Sequence, residues 1–270
     1  MNRGLFDVHN HLQDFAGRPD LEIVVREARE VGVVRMVVNG STEEDWPAVA
    51  ALARRFPDLV VPAFGLHPWY IGRRTRTWRD TLAALLAEFP SAAVGEIGLD
   101  RWIPEFDRED QAAVFLDQWR LAVATDRPVE VHCLRAFGAL EALVRDEPKP
   151  ARGWILHSYG GPPEMVPSFA GLGASFSFSG YFLHPRKLDG RAAAFRAVPR
   201  DRLLLETDAP DMAPPEDRRR FPCPPGADGK PENRPGNLVS VAAGLADLLG
   251  MSPEALAALT TANACRMFGI

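Results

Sequence analysis

The chain has 270 residues, 46% of them hydrophobic and 25% charged, which excludes wholesale disorder and suits a soluble globular fold. At about 100–200 residues per domain this length allows one large domain or two small ones, and a (β/α)₈ barrel of about 250 residues also fits. With 31 basic and 36 acidic residues the net charge is −5, which argues against a broad basic face for wrapping duplex DNA. It leaves room for a nucleic-acid substrate, because bound metal ions can supply positive charge locally.

The three cysteines, Cys133, Cys223 and Cys265, are too few and odd in number for a disulfide framework. The opening segment MNRGLFDVHNHL lacks a long apolar run, so no secretory signal is expected. No apolar stretch reaches the roughly 18 residues of a membrane span. A cytoplasmic protein with no membrane association is the resulting expectation.

In chain order, short β-branched and apolar runs alternate with amphipathic stretches. Strands are predicted at Leu5–His9, Val33–Asn39, Val60–Leu66, Ala93–Leu99, Pro128–His132, Gly153–His157, Gly173–Ser179 and Leu203–Asp208. Several are continuously hydrophobic, as strands buried on both faces should be. The first helix, Pro19–Gly32, ends at a glycine suited to close it. Ser41 opens the next, with Glu44 three residues on in a capping-box pattern. Thr77–Phe89, Arg108–Thr125, Ala136–Arg145, Glu164–Ala170 and Pro185–Val198 continue the alternation. Two helices close the chain, Asn237–Leu249 and Ser252–Phe268. Ser252 is the cap of the last, with Pro253 and Glu254 in its first turn.

Eight strands separated by helices imply parallel pairing through βαβ units, and eight is the number that closes a (β/α)₈ barrel. An open doubly wound sheet would more often carry a G-x-G-x-x-G turn after its first strand, and none is present. Without an internal repeat or a composition break, residues 1–270 read as one domain. The irregular segment Ala209–Pro235 is a long loop, which in a compact domain is usually functional or disordered.

Chemistry-bearing residues collect at the ends of these strands. The first strand runs into Asp7-Val8-His9-Asn10-His11, where alternation would put both histidines on one face. Alone, an H-x-H pair reads equally as two hydrogen-bonding histidines. The third strand runs into Gly65-Leu66-His67-Pro68, and the fourth carries Glu96. The fifth ends at His132, the sixth at His157 and the eighth at Glu206-Thr207-Asp208. Five of the six histidines therefore sit at predicted C-terminal strand ends, the face where barrel enzymes build their sites. Imidazole with carboxylate suits Zn²⁺, Mn²⁺ or another divalent ion. Four histidines and two carboxylates exceed one open catalytic site, but they suit two adjacent metals sharing a bridging carboxylate. Glu96 is the natural bridge, because an unpaired carboxylate in so apolar a strand would be costly.

Six segments in order resemble the successive motifs of the TatD family of metal-dependent hydrolases, within the amidohydrolase superfamily. They are Asp7-Val8-His9-Asn10-His11-Leu12, Gly65-Leu66-His67-Pro68, Val94-Gly95-Glu96-Ile97-Gly98-Leu99-Asp100, Pro128-Val129-Glu130-Val131-His132, Leu156-His157-Ser158 and Leu205-Glu206-Thr207-Asp208-Ala209-Pro210. The resemblance implies a (β/α)₈ barrel holding two divalent ions (Zn, Mn or Mg). His9, His11, Glu96 and Asp208 would bind the first, and Glu96, His132 and His157 the second. It also implies a deoxyribonuclease, cutting single-stranded DNA from the 3′ end, with no protein partner evident. The alternative is an ester or amide hydrolase on the same metals, such as a D-aminoacyl-tRNA deacylase or a small-molecule amidohydrolase. Asp208 would orient the attacking water and accept its proton. His67 aligns with a position associated with phosphate contact, and equally could shape the His-Pro turn.

Departures from the family pattern concern substrate contacts rather than ligands. Trp69-Tyr70 follow the His-Pro, and either stack on a base or anchor the turn. Cys133-Leu134-Arg135 replace a Ser-Arg, and Ser158-Tyr159-Gly160-Gly161 a Cys-Phe-Ser-Gly. The runs Arg73-Arg74-Thr75-Arg76 and Arg218-Arg219-Arg220 read first as solvated surface and second as phosphate contacts. Asn233-Arg234-Pro235 reads as a loop closure, and Gln111, Phe115 and Gln118 as helix-to-barrel packing. Nothing marks Cys133 as a nucleophile.

Overall fold

The computed structural model describes residues 4–103, 107–227 and 229–270. Eight strands follow one another in a single sheet, every neighbouring pair parallel. They are β1 (Leu5–Asn10), β2 (Val33–Asn39), β3 (Val60–Phe64), β4 (Ala93–Asp100), β5 (Val129–Leu134), β6 (Trp154–Leu156), β7 (Ala174–Phe178) and β8 (Leu203–Leu205). The sheet closes into the expected barrel where the segment after β8 meets β1. There Asp208 N donates to His9 O (2.9 Å) and His11 N to Ala209 O (2.7 Å). The buried Asp7 carboxylate crosses the same seam, accepting from Thr207 N at 2.9 Å and Thr207 Oγ1 at 2.5 Å.

Helices fill the connections: α1 (Leu21–Glu30), α2 (Trp46–Arg55), α3 (Trp78–Glu88), α4 (Arg108–Ala124), α5 (Phe137–Arg145), α6 (Val166–Gly171) and α7 (Pro185–Ala197). Then come α8 (Leu238–Leu249) and α9 (Pro253–Phe268). Gly32 follows α1 at φ +89°, a conformation that favours glycine, and its N–H returns to Arg29 O at 3.0 Å. Ser252 caps α9 by accepting from Ala255 N at 3.2 Å. Ser41 does not open α2. The Asp45 carboxylate takes the N–H groups of Ser41 (2.9 Å) and Thr42 (3.3 Å), so the chain turns there and the helix begins at Trp46. A capping pattern in sequence lost to an acid that satisfies the same donors from the other side. Glu164 likewise falls in a 3₁₀ turn, Pro163–Met165, that precedes α6.

Side chains pointing outward from the strands, such as Met36, Val38, Val94, Val129, Leu156 and Leu205, pack under the helices in the main core. Inward-pointing Phe6, Val8, Val37, Val61, Ala63, Ala93, Ile155 and Leu204 form a second, smaller core inside the barrel floor. Helix α9 plugs that floor with Ala264, Met267 and Phe268, the Phe268 ring stacked on Phe6 at 5.4 Å. No single helix among the described residues is long and apolar enough to cross a membrane.

Strands β1 and β4 each carry one extra residue. Asp7 pairs with Met36 and Asn10 with Val38, so Val8 and His9 together oppose Val37. Val94 pairs with Val129 and Ile97 with Val131, so Gly95 and Glu96 together oppose Glu130. These are β-bulges, which re-aim the side chains that follow them. Each switches the strand from an apolar inward row below to a polar inward row above: Val8 then His9, Gly95 then Glu96. Glycine is required here, since a Cβ on Gly95 would collide with the Glu130 side chain and one on Gly98 (φ +158°) with the His132 carbonyl.

Candidate metal centre

The barrel mouth holds a cavity of about 830 Å³ whose base is formed by His11, His67, Glu96, His132, His157 and Asp208. His9 lies beneath, fully buried, with its ring stacked on that of His157 at 4.0 Å. All seven residues named from the sequence thus meet in one cluster. Only Glu96, His9 and His132 lie within strands; the other four sit one to three residues beyond the last paired position. The ladder stops early there because the chain turns in: Ser158 and Asp208 adopt φ +42° and +53°, left-handed values uncommon for residues other than glycine.

Glu96 divides the cluster in two. Its Oε2 faces His9 Nε2 (3.5 Å) and His11 Nε2 (3.6 Å), and Asp208 Oδ1 closes that group at 3.7 Å from His9 and 3.4 Å from His11. Its Oε1 faces His157 Nε2 (2.8 Å), His132 Nδ1 (3.1 Å) and His67 Nε2 (3.5 Å). The carboxylate is 3% exposed. Burial works against its charge, yet the surrounding imidazoles, with hydrogen bonds from His132 and His157, hold it well below the usual carboxylate range.

The far nitrogen of three imidazoles is also engaged. His9 Nδ1 faces Glu130 Oε2 (3.4 Å), His11 Nδ1 faces Asn39 O (2.9 Å) and His132 Nε2 faces Asp100 Oδ2 (2.8 Å), while His157 Nδ1 stands 3.6 Å from Glu206 Oε1, beyond hydrogen-bond distance. Acceptors on one nitrogen fix the tautomer that turns the other, as a lone-pair donor, into the cluster. Sequence reading left these supports out, although the parity signal existed. Glu130 lies two residues before His132 and Glu206 two before Asp208, on the same inward rows. Ser177 Oγ donates to Glu206, and burial pushes Glu130 up to about 7.

Divalent metal ions fit these residues. The His9 Nε2 atom is buried with no hydrogen-bond partner among the described residues, an expensive state for a nitrogen aimed at two carboxylates. Ligand atoms of His9, His11 and Asp208 lie within 4.8 Å of one another, as do those of His9, Glu96 and His157. The imidazole and carboxylate donor set is that of Zn²⁺ and its first-row neighbours.

His67 differs from the rest. Trp69 N donates to its Nδ1 at 3.1 Å, so Nδ1 is unprotonated and Nε2 carries the hydrogen that points into the cavity. Burial lowers its pKa to about 3, keeping the ring neutral. The ring thus faces Glu96 Oε1, 3.5 Å away, with an N–H rather than a lone pair. The same contact with Trp69 N shapes the His-Pro turn.

The neighbouring motifs sort themselves by contact. Gln118 Oε1 accepts from Leu66 N (2.7 Å) and Gln111 Oε1 from Asp100 N (3.1 Å), so α4 holds the ends of β3 and β4 by hydrogen bonds as well as by packing. Asn233 Nδ2 donates to Thr207 O (2.9 Å), and Arg234 pairs with Glu27 (3.0 Å) and Asp20 (3.2 Å), which ties the segment after β8 down. Of the arginine runs only Arg73 and Arg219 line the cavity. Arg74 pairs with Asp110 and Arg218 with Asp247. Burial pushes the Cys133 thiol up, away from the reactive thiolate.

A parallel eight-stranded barrel with buried histidines and carboxylates at its C-terminal mouth defines a metal-dependent hydrolase of the amidohydrolase type. The sequence model of the TatD related DNase family matches residues 6–269, and the chain belongs to that family. It is similar to the 3′-5′ ssDNA/RNA exonuclease TatD of Erwinia tasmaniensis, 30% identical over 98% of this chain and 100% of that protein. An uncharacterized metal-dependent hydrolase of Haemophilus influenzae is also 30% identical, over 97% of this chain and 98% of its own length. Among solved structures, YJJV, a TatD homologue from Escherichia coli, superposes with a TM-score of 0.85 at 28% identity, covering 100% of both chains.

Proposed function

We propose that this protein is a deoxyribonuclease that removes nucleotides from the 3′ end of single-stranded DNA, and that Glu96 would help hold each of two divalent ions. The observation that carries the reading is the division of Glu96, with Oε2 toward His9 and His11 and Oε1 toward His132 and His157. His9, His11, Glu96 and Asp208 would hold one ion, and Glu96, His132 and His157 the other. When bound, such ions lower the pKa of water to near neutrality and offset charge on a phosphoryl group.

The protein's own groups do the rest. Asp208, at the cavity edge of the cluster, orients the attacking water and accepts its proton. His67 offers Nε2–H to a phosphoryl oxygen, a donor fixed in place before the substrate arrives. Gln118, through Leu66, and Trp69 N hold that imidazole still. The relative from Erwinia tasmaniensis, named for single-stranded DNA and RNA, supports the substrate class.

The test is elemental analysis of the purified protein paired with cleavage of oligonucleotides blocked at one end or the other. Two equivalents of metal, and cleavage that a 3′ block abolishes and a 5′ block does not, is the expected outcome. Metal-loaded protein that leaves DNA intact but releases aminoacyl or N-acyl groups would replace the nuclease reading with the ester or amide one.

A further inference from the structure

Two large aromatic side chains stand out into solvent at the mouth. Trp102 is 57% exposed and Trp69 48%, more than any other large hydrophobic side chain among the described residues. Both are tethered to one carboxylate. Asp100 Oδ1 accepts from Trp102 N at 2.5 Å, and Asp100 Oδ2 accepts from Trp69 Nε1 at 2.7 Å while also facing His132 Nε2 at 2.8 Å. The Arg135 guanidinium lies over the Trp102 indole, 3.8 Å from the ring centroid. Arg135 holds φ +56°, in the left-handed region, so the backbone accepts an uncommon conformation at the position that brings the charge to the ring.

Exposing two indoles costs hydrophobic free energy that burial would recover; the Trp69 indole is held out by its Nε1–H bond to Asp100, and the Trp102 indole is covered on one face by Arg135. A flat indole with a guanidinium stacked on it presents π-surface and positive charge together, the combination that takes unpaired bases and adjacent phosphates. Acidic side chains line the cavity elsewhere: Asp14, Glu44, Asp45 and Asp211 stand on the loops after β1, β2 and β8, where Arg219 and Lys230 also line it after β8.

We propose that Trp102 with Arg135 stacked on it, and Trp69 tied to the same Asp100 from the loop after β3, form a nucleobase-stacking subsite on the β3–β5 side of the rim. It takes an unpaired base of the strand whose neighbouring phosphodiester lies at the metal centre. This subsite rests on the nuclease reading, and it makes Asp100 the joint between substrate grip and the His132 imidazole.

The experiment compares two oligonucleotides with the same 3′-terminal nucleotide, one of oligo(dT) and one whose upstream residues are abasic. Wild-type protein should favour the base-bearing strand in kcat/KM by about tenfold or more, the scale of one stacked base. Trp102→Ala should bring that ratio toward one, and Trp102→Phe should restore part of it. Because Trp102 is exposed and its tether to Asp100 runs through backbone N–H, these variants keep the fold. A wild-type ratio of one, or an unchanged ratio in Trp102→Ala, overturns the subsite while leaving the nuclease reading intact. If neither strand is cleaved, that reading falls instead. Fluorescence anisotropy of the two strands in chelator then decides the subsite by the same comparison of wild type with Trp102→Ala.

Discussion

At the floor of the barrel the strands point Phe6, Val8, Val37, Val61, Ala93 and Leu204 inward, against Met267 and Phe268 of α9. A few residues further along, β1, β2 and β4 carry the buried His9, Asn39 and Glu96, and Glu206 follows just past the end of β8. The floor is held by non-directional apolar contact, which tolerates exchange of one hydrophobic residue for another of similar volume. The mouth is held by directed contacts, where each acceptor fixes a nitrogen and each nitrogen fixes a carboxylate. The two ends are joined by the bulges in β1 and β4, which change the inward row within one residue. One end supplies stability and the other stores charge, so substitutions at the two ends should separate the two properties.

The largest separation is expected from Glu96→Gln. It keeps the shape of the bridge and removes its charge. Several kcal/mol of transition-state stabilisation depend on that arrangement, so the nuclease rate should fall about 10³-fold or more with the circular-dichroism spectrum unchanged. A folded variant of normal rate would remove Glu96 from the machinery. Next comes Phe268→Ala. Loss of a buried ring that stacks on Phe6 should cost about 3–5 kcal/mol of stability. Thermal melting should shift down by on the order of 10 °C. The remaining folded protein should keep its metal content, measured below the new transition. If metal is lost before the melt, floor and mouth are coupled and the comparison fails.

A smaller effect is expected from Asp100→Asn. The substitution leaves His132 in place but weakens the acceptor of its Nε2–H. Loss of such a support typically costs about 10- to 100-fold in metal affinity. Titration calorimetry of metal-depleted protein should show the loss in one of two binding steps, that of His132 and His157. Equal weakening of both steps would mean that the halves divided by Glu96 do not act separately.

The floor and the mouth were unequally legible. Strand count and order follow from alternation of apolar runs, since burial on both faces demands them. The seven residues of the cluster could be read because histidines are few and collected at strand ends. The supports behind them could not. Asn39 contributes only a backbone carbonyl, which any residue carries, and Asp100 acts through a contact 32 residues away in sequence. The bulges are invisible too, because Val8-His9 and Gly95-Glu96 look like ordinary strand until a partner strand sets the count. Helix starts fail for a related reason: the capping pattern at Ser41 is genuine, and Asp45 answers it first.

The smallest effect sets the outer limit of the mouth. Arg218 and Arg219 are neighbours in a basic run, yet only Arg219 lines the cavity, its Nε donating to Pro214 O at 2.9 Å. Arg218 points to Asp247 at 3.7 Å, both side chains largely in water. Such a pair is worth about 0–1 kcal/mol at most. Its field at the cavity is screened beyond a Debye length of about 8 Å at physiological salt. Arg218→Ala should therefore leave stability within about 0.5 kcal/mol of wild type and the nuclease rate at 150 mM salt within about twofold. Repeating the measurement at about 10 mM salt sharpens the point, because the Debye length then reaches about 30 Å. A modest loss of rate that appears only at low salt would place Arg218 among distant steering charges. A tenfold loss at physiological salt would instead mean that substrate touches the run directly, and the working mouth would extend past the cavity onto the loop after β8.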